Sequence, residues 1–162
     1  MVLAHGLPVV TEVVADSMSP SIERGAKVKV EPAPDELHPG DIVLVLTDDA
    51  SELQLHRIVH LFSKGERRYA IHQGDEPKST FAVSPRQAVV GRAIAFPLTP
   101  SRPLPTLEQL GPAALARFRR RRRAAALYAV GYRMTEALRL GDRALTRRLD
   151  RVYRAIARKV VG

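Results

Sequence analysis

The chain contains no cysteine among its 162 residues. That excludes disulfide frameworks, thiolate metal sites and cysteine nucleophiles, and leaves the redox compartment open. Tryptophan is absent as well, and aromatic residues make up only 5% of the chain. Stacking platforms for single-stranded nucleic acid are therefore not supplied. Nor is there a run of the roughly 18–20 apolar residues needed to cross a bilayer. The apolar stretch 124–132 is too short, and arginines flank it on both sides. The N-terminus has no cationic n-region, and His5, Pro8, Thr11 and Glu12 break its apolar stretch, so it does not read as a signal peptide. These absences predict a cytoplasmic or peripheral membrane protein.

What is present is unevenly distributed. The formal net charge of +9 divides into two opposed parts. Residues 1–100 carry 10 Lys and Arg against 13 Asp and Glu, whereas residues 101–162 carry 16 against 4. All five histidines lie in the first part. A mildly acidic, histidine-bearing body followed by a basic region is the organisation this implies.

The body reads as β structure. Val9–Ala15, Lys27–Glu31, Asp41–Thr47, Gln54–Leu61, Arg68–His72 and Val89–Phe96 are short runs rich in Val, Ile and Leu, separated by turn-forming segments such as Pro32–Gly40 and Gly74–Lys78. Lys27-Val28-Lys29-Val30 alternates as a half-buried strand does. Ile42 to Leu46 does not alternate, and should be buried on both faces. Five prolines between residues 97 and 112 then end the β region, since proline fixes φ and lacks an amide donor. Beyond Pro112 the period becomes helical. Leu127, Val130, Met134 and Leu138 form one stripe; Leu145, Leu149, Val152, Ile156 and Val160 form a second after Gly141-Asp142. The expected organisation is a β-rich domain over 1–96, a Pro-rich linker over 97–112 and a basic amphipathic helical region, a helical hairpin, over 113–162.

Candidate chemistry begins at Ser17-Met18-Ser19-Pro20. Ser17 follows a strand and precedes a proline that ends local pairing, which favours exposing its side chain at a loop edge, with Met18 packed beneath. A serine hydroxyl needs a base and oxyanion donors before it attacks a carbonyl. His56 is the natural base near neutral pH. His60 and His72 compete with it, and His60, four residues on, should share its face. The histidines form no cluster complete enough to favour a metal, and no cofactor is expected.

Five islands stand in order: Ser17-Met18-Ser19-Pro20, Gly40-Asp41-Ile42-Val43, His56-Arg57-Ile58-Val59, Gly74-Asp75 and Val90-Gly91-Arg92-Ala93. Together they resemble the signal peptidase I superfamily over about residues 9–96. The likeness is nearest to the endoplasmic-reticulum, archaeal and sporulation branch, in which histidine replaces the catalytic lysine. The resemblance implies a coiled antiparallel β-sheet body and serine endopeptidase activity after small residues. By the same resemblance Ser17 is the nucleophile, His56 the general base, and Asp75 the Gly-Asp carboxylate that orients the imidazole. The second acid usual in that branch has no counterpart at its spacing, so the third member is Asp75, Asp48 or Asp49, or is absent, leaving a dyad. Ala15 stands where relatives often carry a Ser or Gly two residues before the nucleophile, so the oxyanion must rest on backbone amides such as that of Ser17. Asp16 places a charge beside it. The family's N-terminal membrane anchor is not expected here.

The implied partner is a peptide or protein substrate. Arg117 and the run Arg119 to Arg123 offer an anionic membrane surface or an acidic partner a basic face. Nucleic acid would use the same charge through phosphate contacts, but no recognition motif accompanies it.

Overall fold

The computed structural model describes residues 6–47, 52–97 and 100–137, with side chains as far as residue 133. Its body is an eight-stranded, wholly antiparallel sheet. In chain order the strands are β1 (Val9–Glu12), β2 (Lys27–Pro32), β3 (Ile42–Leu46), β4 (Leu53–Lys64), β5 (Arg67–Gln73), β6 (Ala82–Pro85), β7 (Val89–Phe96) and β8 (Arg102–Pro103). Their spatial order is β1-β2-β7-β3-β4-β5-β6, with β8 on β7, and the sheet does not close into a barrel. Among the described residues one α-helix, α1 (Pro112–Ala137), comes after the sheet. The mainly β fold expected from the strand pattern is therefore what forms.

The run at β3 is buried at Ile42 to Val45, as its unbroken apolar sequence requires, because it lies between β4 and β7. Two strands had no sequence signal. β6 is a four-residue edge strand carrying a proline, and β8 is a two-residue pairing inside the Pro-rich connector. Edge positions tolerate proline because the missing donor faces away from the ladder.

The long β4–β5 hairpin decides which polar side chains can meet. Its tight turn at Gly65-Glu66, with Gly65 at φ +57, sets Lys64 opposite Arg67. The register then runs regularly to His60 opposite Ile71. It slips by one residue at Val59, so that Ile58 faces His72 and Arg57 faces Gln73. Such a bulge inserts one unpaired residue, and everything beyond it changes face relative to the partner strand.

α1 packs on β4 and β5. Ala125, Tyr128, Ala129 and Tyr132, at helical spacing, lie in a cluster with Val59, Phe62, Ile71 and Phe81, while Phe118 and Arg121, two turns and one turn earlier, are buried as well. Phe62 stacks on Tyr69 at 5.3 Å between centroids, and Tyr132 meets Phe62 edge-on at 5.7 Å. The stripe anticipated at Leu127 and Val130 faces outward instead: these residues are 59% and 54% exposed. The aromatic residues take the buried face because each removes more apolar surface from water than the aliphatic alternatives about 100° round the helix. Leu138 and the second stripe, Leu145 to Val160, lie outside the described residues, and with them the hairpin's other helix. Among the described residues no helix is long and apolar enough to cross a membrane.

Candidate active site

Ser17 sits in a tight turn held from three sides. Its own sequence provides the first. A 3-10 turn at Asp16–Met18 is closed by the Ser19 amide donating to Asp16 O at 2.9 Å, and the Ile22 amide donates to Met18 O at 3.0 Å. The Ser19–Pro20 peptide bond is cis. Met18 and Ile22 are buried in the cluster with Val28, Val30 and Leu44. The nucleophile candidate thus stands, half-buried, between an exposed Asp16 and a core anchor.

The second support is the turn after β5. The Glu76 amide donates to Ser17 O at 3.1 Å. Gly74 lies so close beneath that a Cβ there would sit inside the van der Waals shell of the Ser17 carbonyl oxygen, with the carbonyl carbon at 3.0 Å. Asp75 accepts from Arg57 through both Nε (2.9 Å to Oδ1) and Nη2 (2.6 Å to Oδ2), and from Ser21 Oγ. Arg57 Nη1 also donates to Gly40 O at 2.8 Å. The Gly40, Arg57 and Gly74-Asp75 islands therefore meet as one buried polar knot under the Ser17 loop.

The third support had no sequence signal. Arg121 of α1 is 5% exposed and donates to Gly74 O at 2.9 Å and Glu76 O at 2.8 Å. Burial lowers its pKa to about 10, with the Asp75 carboxylate working in the opposite direction. One member of the arginine run is thus part of the framework that holds the Ser17 turn.

His56, 9% exposed, comes from β4. Its Nδ1 lies 2.9 Å from Nδ1 of His72, and His72 Nε2 lies 3.0 Å from Ser84 Oγ. The three residues are diagonal neighbours on one face of β4, β5 and β6. Burial pushes the His56 pKa below its ordinary 6.5, and the nearby Asp75 charge pulls it back up. Burial and the neighbouring imidazole bring His72 down to about 3.

The bulge at Val59 corrects two expectations. The unslipped hairpin register would set His56 opposite Asp75 and His60 on the face of His56. The slip moves His72 onto the face of His56 and leaves Asp75 to Arg57. His60, which pairs with Ile71, falls on the helix side, where burial and then Arg122 and Arg133 lower its pKa. Asp75 therefore acts on the imidazole through space, not by hydrogen bonding. Asp48 and Asp49, the other candidate acids, lie outside the described residues.

Ser17 and His56 line the same groove, of about 850 Å³, together with Thr11 to Ala15, Glu52 to Leu55 and Lys78 to Thr80. No hydrogen bond joins Ser17 Oγ to the imidazole among the described residues; such bonds commonly tighten only when substrate binds. Among the described residues there is also no cluster of His, Asp or Glu able to hold a metal ion. The arrangement offers a hydroxyl and an imidazole of lowered pKa on one groove.

Residues 4–75 match the family described as Peptidase S24-like, a span that includes Ser17, His56, His72 and Asp75 and covers less than half of the chain. The match supports a serine-peptidase-type fold of the superfamily that also holds the signal peptidases. Ser84 and all of α1 lie beyond it. No curated protein and no solved structure gives a match.

Proposed function

We propose that this chain is a serine endopeptidase of signal-peptidase type in which Ser17 attacks the scissile carbonyl and His56 takes its proton. The observation that carries the reading is the joint presence of Ser17 and His56 on one groove, within the segment that matches a serine-peptidase family. A peptide or leader strand lies extended in the trough between Val13-Val14 and Leu53-Gln54. The tetrahedral oxyanion is met by backbone amides at the Asp16–Met18 turn, the nucleophile's own amide among them. Asp16, being exposed, opposes that charge only weakly because water screens it.

A serine-directed acylating probe tests the reading. Labelling of the native chain is expected, and Ser17→Ala abolishes it. Because His56 must be neutral to act as a base and its pKa is lowered, the acylation rate holds down to a pH below 6.5 before falling. No labelling anywhere between pH 6 and 9 would instead assign a peptide-binding module that keeps the peptidase fold.

The proposed partner of the outward face of α1 is an anionic lipid surface. Arg119, Arg120 and Arg123 are exposed there, and exposed Leu127 and Val130 follow on the same helix. Apolar side chains beside a basic cluster are what an interfacial helix requires. Each basic residue near such a surface contributes about 1 kcal/mol. Replacing these three arginines by glutamate is expected to remove co-sedimentation with phosphatidylserine vesicles while leaving Arg121 and the site untouched. Unchanged binding would dismiss the lipid partner.

A further inference from the structure

We propose that His72 is the positioning residue for the His56 base, occupying the place a carboxylate holds in other Ser-His sites, with Ser84 as the hydrogen-bond partner that holds His72 in place in turn. The inference rests on the reading of His56 as general base. It goes beyond that reading by assigning the third and fourth members of the relay, neither of which the sequence resemblance implies.

Proton counting decides the arrangement. Two ring nitrogens facing each other at 2.9 Å share one hydrogen, with one Nδ1 donating and the other accepting. For His56 to accept a proton at Nε2, its own hydrogen must lie on Nδ1. His72 Nδ1 is then the acceptor, so the hydrogen of His72 is on Nε2, where it donates to Ser84 Oγ at 3.0 Å. If His72 held its hydrogen on Nδ1, His56 would carry its own on Nε2 and present a donor to Ser17, and no base would be available. In the productive state Ser84 Oγ accepts from His72 Nε2; in the other its hydroxyl turns to donate there. Ser84 thus keeps His72 paired, while the hydrogen shared between the two imidazoles sets the state.

Burial adds to the coupling. His72 is 2% exposed and Ser84 6%, so neither side chain can satisfy its polar atoms with bulk water. When His56 takes the Ser17 proton, the O–H bond breaks, an Nε2–H bond forms, and the imidazolium keeps its Nδ1–H on the lone pair of His72. The charged groups around the pair are Asp75, held by Arg57 and facing Arg121, and on the groove wall Glu52 and Lys78; β3 and β6 contribute no titratable side chain at this point. Asp75 supplies the compensating negative charge at a distance, while His72 supplies direction.

The test reads the tautomer directly. Nitrogen-15 NMR of the native chain is expected to show His56 with hydrogen on Nδ1 and His72 with hydrogen on Nε2. His72→Phe keeps the site filled but removes the acceptor. It is expected to slow probe acylation about 10²-fold or more and to give His56 a mixture of tautomers. His72→Asn returns a carbonyl acceptor and is expected to recover to within about tenfold of the native rate. Ser84→Ala, outside the His56 contact, keeps the chain folded if the larger change does not. It is expected to cost about fivefold, the worth of one neutral hydrogen bond. A native His56 with hydrogen on Nε2, or a folded His72→Phe with native rate and tautomer, would overturn the proposal. Labelling that survives Ser17→Ala would overturn the Ser17 reading instead, and the NMR result would still stand on its own.

Discussion

Gly74→Ala is expected to slow acylation of Ser17 by about 10²-fold, although residue 74 has no side chain to contribute to chemistry. The Cβ would collide with the Ser17 carbonyl, a backbone group that cannot swing aside as a flexible side chain would. One of the two segments must move. The Gly74–Glu76 turn is fixed by Arg121 from one side and by the Arg57–Asp75 pair from the other. The Ser17 turn, held by Met18 below and open to the groove above, is the one that yields. A displacement near 1 Å at a reacting group costs about 10²-fold in rate, and overpacking of this kind costs about 1–3 kcal/mol of stability. Paired measurements of probe acylation and thermal unfolding check both figures. Adding Ser79→Gly, which removes the other close neighbour at 2.9 Å, is expected to give no rescue, because the carbonyl remains. A native acylation rate in Gly74→Ala would show that the turn does not position Ser17.

Asp75→Asn is expected to reveal itself first in stability. The carboxylate and the Arg57 guanidinium are 10% and 4% exposed, so removing one charge strands the other in a dry setting. Breaking a buried pair from one side costs about 3–5 kcal/mol. For a chain of this length that lowers the unfolding temperature by about 10 °C. Replacing both partners by apolar residues recovers much of the loss, since an unpaired buried charge is the main penalty. The sign of the pH effect is also fixed. Asp75 raises the His56 pKa against the effect of burial, so its neutralisation lets the imidazole fall further and moves the acid limb of acylation to lower pH. An acid that oriented the base by hydrogen bonding would behave differently, with a rate loss near 10⁴-fold and little change in melting. That outcome, measured by calorimetry beside a pH–rate profile, would return Asp75 to the role its sequence position implied.

The parts of this molecule that the sequence disclosed are those set by local pattern. β-branched runs between turn residues marked six strands, because alternation and composition are local signals. Met18 under the Ser17 loop was equally legible, a large apolar side chain at a point where the chain turns. What stayed hidden depends on pairing between distant segments. Arg121 reads as one of five consecutive arginines; its burial follows from the rotation of α1, which the spaced aromatics Phe118, Tyr128 and Tyr132 set by packing. His72 was one of three histidines able to serve as a base. Its place beside His56 could be found only by counting the hairpin and knowing that one residue of β4 goes unpaired, and Val59 carries no mark of a bulge in its side chain.

That unpaired residue makes odd or even count a chemical variable. From the Gly65-Glu66 turn back to His56 and forward to Gly74-Asp75, both arms of the hairpin have fixed lengths. With regular pairing along the whole arm, His56 and Asp75 would meet across the ladder. With one residue spare, imidazole meets imidazole, and Asp75 is released to bind Arg57 and brace the Ser17 turn. A family could exchange one design for the other by a single-codon insertion or deletion between Ile58 and Lys64, with every side chain named in the site left unmutated. Residue identity at aligned positions would not register such a change; the spacing between the histidine and the hairpin tip would.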